Sequence, residues 1–238
     1  MLEVLYEDNH LLVVNKPAGL PTQGAAEGED SVVVRAKQYL KQKYVKPGGV
    51  YVGVVSRLDA LVTGTLVLAR TSKAAARLNE QFRERTVGKV YWAVVDGKPA
   101  SPGGSLSHFV AKDDQQQRMI VVNPLQSAAA GAQSAILTYR VLTPIGSQRT
   151  LLEVNLTTGR KHQIRVQMAH CGWPVVGDRK YGSRSHFSTG IALHARRLEI
   201  THPTQGTALS FIAPLPSSWR SLEIDEEKAV NLEAKSLQ

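Results

Sequence analysis

The chain has 238 residues, 42% hydrophobic and 21% charged, which excludes a disordered polymer and suffices for a sizeable buried core. Its 29 lysines and arginines outnumber 20 aspartates and glutamates, a net charge of +9 that favours a polyanionic partner without naming one. Cys171 is the single cysteine, so an internal disulfide is excluded, and no stretch approaches the roughly 20 apolar residues of a membrane span.

The opening MLEVLYEDNHLLVVNKP has early acids and no basic segment before an apolar run, unlike a secretory leader, and a cytoplasmic protein is expected. Val4 to Tyr6 and Leu11 to Asn15 are β-rich runs broken by Glu7-Asp8-Asn9, which predicts a hairpin. Lys16-Pro17-Ala18-Gly19-Leu20-Pro21 turns the chain into a Gly-rich loop ending near Asp30. Ser31 to Tyr44 reads as a helix with Val34, Ala36 and Leu40 on one side. Tyr51 to Val55 is a short strand, Ser56 to Gly64 is irregular, and Thr65 to Ala69 is a buried strand.

Thr71 or Ser72 can cap the next helix, along which Ala75, Leu78 and Phe82 recur at helical spacing. Lys89 to Asp96 is a strand. Its parity puts Lys89, Tyr91 and Ala93 on one face, and Val90, Trp92 and Val94 on the other. Gly97 to Gly131 is polar and predicts hairpins and loops; Ala135 to Leu142 and Thr150 to Leu156 are strong strands. Arg160 to His170 fits either period, and its flanking glycines suit a short helix. Ile191 to Thr201 and Ala208 to Ile212 are strands joined by a turn at Pro203 to Gly206. The elements add up to an α+β fold with a mixed, mostly antiparallel sheet and flanking helices. One domain over 1–222 is expected, with a polar tail over 223–238.

Three places could carry chemistry. Ser56-Arg57-Leu58-Asp59 sets a carboxylate two residues after a cation, in a loop between apolar strands, where an ionised group can reach a substrate. An aspartate there can equally cap its own turn. Gly159-Arg160-Lys161-His162-Gln163-Ile164-Arg165 gathers three cations; if helical, Lys161 and Arg165 share a face as an anion clamp, and a solvated basic helix fits as well. Tyr91, beside Lys89, could stack on a base or belong to the core. His162, His170, Cys171 and His186 match no common metal spacing. No P-loop, GxGxxG or nucleophile elbow is present, which leaves an unrelated hydrolase based on Asp59 and a histidine far behind.

Taken together, six segments in order resemble the RluA-type RNA pseudouridine synthase family. They are Lys16-Pro17-Ala18-Gly19; Ser56-Arg57-Leu58-Asp59 through Gly64; Lys89-Val90-Tyr91-Trp92-Ala93; Thr158 to Arg165; Pro174 to Gly182; and Leu193-His194-Ala195. The resemblance spans residues 5 to 216. It implies a sheet crossed by a central RNA-binding cleft, no metal or organic cofactor, and isomerisation of uridine in structured ribosomal or transfer RNA; nothing in the sequence suggests an obligate protein partner, and a monomer is expected.

The resemblance further implies that Asp59 is the catalytic aspartate, that Tyr91 packs on the uracil, and that Arg165 pairs with Asp59. Arg57, Arg160, Lys161, His162, Gln163, Arg179 and Lys180 would contact RNA. The chain departs from the family at Ser56, where histidine is usual, at Val62-Thr63 in place of Thr-Ser, and at Gln167 in place of a histidine. A catalytically impaired RNA-binding relative is therefore the alternative. The N-terminal RNA-binding module carried by some relatives is expected to be absent, because the first strands begin near Met1.

Overall fold

The computed structural model describes residues 2–24, 29–128, 131–225 and 229–230. In chain order the elements are β1 (Glu3–Glu7), β2 (Leu11–Lys16), α1 (Val32–Lys43), β3 (Gly53–Val54), β4 (Thr63–Ala69), α2 (Ser72–Glu84), β5 (Gly88–Asp96), β6 (Gly103–Asp113), β7 (Arg118–Val122), β8 (Gln133–Ile145), β9 (Arg149–Leu156), α3 (Gln163–His170), β10 (Leu193–Thr201) and β11 (Ala208–Ile212). They form two compact units, Met1–Lys89 with His194–Leu215, and Val90–Leu193 with Pro216–Gln238.

In the first unit, Asp8 closes the opening hairpin by accepting from the N–H groups of His10 and Leu11, both at 2.7 Å. The strands pair in the order β1-β2-β4-β10, with β3 on β4 and β11 on β10. Every residue of β2 and of β4 is buried. Their apolar runs show no alternation because both faces of the sheet are covered. Leu12, Val14, Leu66 and Leu68 point to α1; Leu11, Val13, Val67 and Ala69 point to α2. Each fully buried leucine or valine there contributes about 1.5–3 kcal/mol.

Ser31 caps α1 by accepting from Val34 N–H, and Thr71 caps α2 by accepting from Ala74 N–H. The inward stripe of α1 is Val32, Ala36 and Leu40 rather than the expected Val34, Ala36 and Leu40. The helix starts immediately after Ser31, and a four-residue repeat counted from Val32 faces the sheet. Pairing is antiparallel except between β4 and β10, where His194 lies opposite Thr63 and Ala195 opposite Gly64. Gly64 has φ +112, and a Cβ there would lie 2.3 Å from the Ala195 oxygen, so only glycine fits.

The second unit orders its strands β5-β9-β8-β6-β7, all antiparallel. The polar stretch expected to hold hairpins and loops contains the β6–β7 hairpin, whose first strand runs for 11 residues. The segment of mixed period resolves as helix α3, and its residues from Gln163 to Met168 are all buried. Val166 and Ala169 pack with Val110, Ala135, Met119 and Val121. The fold is thus α+β with a mixed, mostly antiparallel sheet. Among the described residues no helix is long and apolar enough to cross a membrane. The expected polar tail over 223–238 falls largely outside the described residues, as do 25–28 of the Gly-rich loop.

Candidate active site

In the first unit the loop that carries Asp59 is pinned through its backbone on both sides. Leu58 N–H donates to Thr22 Oγ1 at 3.0 Å, and the same hydroxyl donates to Leu58 O at 3.0 Å. The carbonyl of Ala60 accepts from Gly19 N–H at 2.8 Å and from Lys16 Nζ at 3.0 Å. Asp59 O accepts from Val62 N–H at 3.1 Å, which closes a turn over Asp59 to Val62. The Asp59 side chain is left half-exposed.

Lys16 is 0% exposed, and its Nζ also donates to Pro17 O and Leu20 O, both at 2.8 Å. Three carbonyls match the three N–H donors of an ammonium. Burial pushes Lys16 down to about 7, and the nearby Asp59 carboxylate pulls it back up. Gly19, at φ +81, supplies the left-handed turn that brings the Lys16-Pro17-Ala18-Gly19 segment under the Asp59 loop.

Two of the residues that set this chain apart from the family pattern are packed inside the fold at the end of this loop. Val62 and Thr63 are buried. Thr63 Oγ1 lies 2.8 Å from His194 Nδ1, while His194 Nε2 lies 3.2 Å from Ala213 O. A neutral imidazole protonated at Nε2 satisfies both contacts, accepting from the threonine and donating to the carbonyl. Burial and the Arg196 charge hold His194 down to about 4, against a weaker upward pull from Ala213. Ser56 is half-exposed and Arg57 exposed.

In the second unit, β5 holds Tyr91 opposite Val154 of β9, half-exposed between the buried Val90 and Trp92. The parity expected for this strand holds for Val90, Trp92 and Val94, which are core residues. Ala93 is buried as well.

Arg165, on α3, is buried at 3% exposure and meets Asp178 in a two-point ion pair. Nε to Oδ2 is 2.6 Å and Nη2 to Oδ1 is 2.9 Å. Its guanidinium carbon lies 5.0 Å from the centre of the Tyr181 ring. The Tyr181 hydroxyl accepts from Met119 N–H at 3.0 Å and lies 2.8 Å from His162 Nδ1, to which it can give its own proton.

Two expectations for this region are corrected. Lys161 and Arg165 do not share an exposed helical face, because α3 begins only at Gln163; Lys161 is exposed while Arg165 is buried. Gln163 does not present its amide to RNA. It is buried, its Oε1 accepts from Thr158 Oγ1 at 2.8 Å and Arg160 N–H at 3.0 Å, and its Nε2 donates to Ile136 O at 3.0 Å. Those bonds strap the Thr158-to-Gln163 turn to β8. Arg160 donates from Nε to Ser134 O at 2.9 Å. Arg179 and Lys180 are exposed on a 3-10 turn, Arg179–Tyr181.

The structure adds three buried residues, Asp178, Tyr181 and Lys16, to those singled out by the sequence. The signal was in the sequence all the same: Asp178 and Tyr181 are the Asp and Tyr of the Pro174-to-Gly182 segment, and Lys16 heads the first.

Residues 10–170 match the family model described as RNA pseudouridylate synthase. An uncharacterized RNA pseudouridine synthase of Synechocystis sp. is 36% identical over 225 residues, covering 93% of this chain and 68% of its own length. A ribosomal large subunit pseudouridine synthase D of Pseudomonas aeruginosa is 36% identical over 233 residues, covering 92% of this chain and 69% of its own. Among solved structures, human RNA pseudouridylate synthase domain containing 4 superposes with a TM-score of 0.75 at 26% identity, over 93% of each chain. Human RNA pseudouridylate synthase domain containing 1 has the same fold, with a TM-score of 0.73 at 22% identity over 98% of this chain and 95% of its own.

Proposed function

The chain belongs to the RNA pseudouridylate synthase family, isomerases acting on RNA, and from that premise we propose that it converts uridine in structured RNA to pseudouridine with Asp59 as the catalytic carboxylate. The observation that carries the assignment is the pinned loop: Leu58 and Ala60 are fixed by Thr22, Gly19 and Lys16, while the carboxylate between them stays half-exposed. A fixed backbone under a reachable charged group is what a reacting carboxylate needs.

The isomerisation breaks the bond from the sugar C1′ to N1 of uracil and makes one from C1′ to C5; C5 loses a proton and N1 gains one. The base must leave its stack to turn. Asp59 serves either of two opening steps, attack at C1′ or removal of a sugar proton, and both need it ionised. Tyr91 supplies a flat wall for the detached ring. Arg165, held by Asp178, is the third residue assigned to the set. Arg57, Arg160, Lys161, His162, Arg179 and Lys180 engage the RNA strand, the exposed cations among them binding phosphates.

The names of relatives such as the Pseudomonas aeruginosa protein favour large-subunit ribosomal RNA as substrate, with transfer RNA as the other class to be tested. Residues 1–222 act as one catalytic domain, a monomer in the cytoplasm. The test is pseudouridine formation on ribosomal and transfer RNA transcripts by the parent and by Asp59→Asn. The parent converts a defined uridine, and Asp59→Asn converts none while still binding the transcript. An active Asp59→Asn protein removes the assignment.

A further inference from the structure

The charge of this chain is not spread evenly. From Ser31 to Lys46 there are five cations, Arg35, Lys37, Lys41, Lys43 and Lys46, and no acid, against a net +9 for all 238 residues. Two of the five are answered by carboxylates: Arg35 by Asp30 at 2.5 Å, and Lys43 by Glu7 at 2.7 Å. Lys37, Lys41 and Lys46 are exposed, and among the described residues no carboxylate lies within ion-pair distance of them.

Local energetics does not account for this arrangement. The dipole of α1 favours cations in its last turn, which covers Lys41 and Lys43. It does not cover Lys37, in the middle of the helix, or Lys46, beyond its end. Lys37 and Lys41 are four residues apart, so like charges face each other along one side. The end of the helix is also held in place. Lys46 N–H donates to Lys41 O at 3.1 Å, folding the chain back on the last turn. Tyr44, exposed, donates its hydroxyl to Glu7 at 2.6 Å, and its ring is 5.7 Å from Lys43 Nζ and 6.0 Å from Lys46 Nζ. The cations are thus presented on a fixed scaffold.

We propose that the outer face of α1 and the turn that follows it, through Lys37, Lys41 and Lys46, form a second docking surface that binds phosphates of an RNA strand away from the target uridine. The occupant is RNA because the family acts on RNA, and because three unanswered cations, two on α1 and one just past its end, complement a chain of phosphates. Strand binding here adds affinity and register without touching the base that reacts.

The test is direct binding of the full chain to a fluorescein-labelled large-subunit ribosomal RNA transcript across a range of potassium chloride. The triple variant Lys37→Gln, Lys41→Gln, Lys46→Gln is compared with a control on α2, Lys73→Gln with Arg83→Gln. All five side chains are exposed, so melting temperatures should match the parent. The triple variant is expected to bind about tenfold or more weakly at low salt, with the slope of log K against log salt shallower by about two units. The single Lys37→Gln should move the slope in the same direction by a little under one unit.

The proposal is overturned by an unchanged slope in the triple variant, or by an equal loss per removed charge in the α2 control, which would report net charge alone. It is also overturned if the triple variant keeps RNA binding but loses attachment to phosphatidylserine vesicles. Binding is read without turnover, so its failure leaves the Asp59 assignment intact, and an inactive chain leaves this surface testable.

Discussion

The guanidinium of Arg165 is held by the carboxylate of Asp178 along two bonds, with the side chains 4% and 1% exposed. A fork of donors meeting a carboxylate edge-on fixes both distance and plane, and the Tyr181 ring under the guanidinium fixes its tilt. Arg165 therefore has little freedom, whatever other group it serves.

Removing one partner of such a pair leaves a buried charge unanswered. Asp178→Ala should lower stability by about 3–5 kcal/mol, read as a shift of the urea midpoint, with Asp178→Asn losing less because one oxygen acceptor remains. A shift below about 1 kcal/mol for the alanine variant would mean that the pair is not a structural anchor.

Lys16→Met removes the donor from three carbonyls. Pro17 O and Leu20 O lose a partner, while Ala60 O keeps Gly19 N–H. A loss of about 2–4 kcal/mol is expected in chemical denaturation. Thr22 still brackets Leu58, so at a temperature where the variant is folded its turnover number should stay within about tenfold of the parent. A variant as stable as the parent would show that the cradle is dispensable.

Tyr91→Ala tests the stacking wall. Base–aromatic stacking contributes about 1–3 kcal/mol, so kcat/KM on an RNA transcript should fall by about tenfold or more. Trp92 and Val94, on the core face of the same strand, keep the fold in place. An unaltered kcat/KM would move Tyr91 out of the site.

His194 makes stability depend on pH. Its folded value of about 4 lies below the ordinary 6.5, so the unfolded chain takes up a proton first as the solution is acidified. The contribution is complete above pH 6.5 and is lost as pH falls from 6.5 toward 4, on the order of 3 kcal/mol in all. Unfolding free energies of the parent and His194→Gln, measured across that window, should converge as pH falls. Parallel curves would count against a neutral buried imidazole.

Much of the frame was legible because it depends on neighbours in the chain. Thr71, one of the two caps expected for α2, reaches the N–H three residues ahead, and Ser31 does the same for α1. The apolar runs of β2 and β4 declare strands buried on both faces. α3 was ambiguous for a physical reason. Arg165 and Gln167 are buried among its apolar residues, so no one-sided stripe exists for a period to reveal. The long β6 was hidden in the same way, since most of its residues are only partly buried or exposed.

By itself, then, the sequence determined the caps, the buried strands, the excess of cations and the order of six segments, because each depends on residue type and spacing. Tertiary structure alone decided that Arg165 meets Asp178, that Gln163 closes a turn instead of facing outward, and that Lys16 serves the carbonyl of Ala60 forty-four residues away. Ion pairs and hydrogen bonds form between groups within about 3 Å in space, and sequence spacing carries no measure of that distance once the chain has folded back on itself.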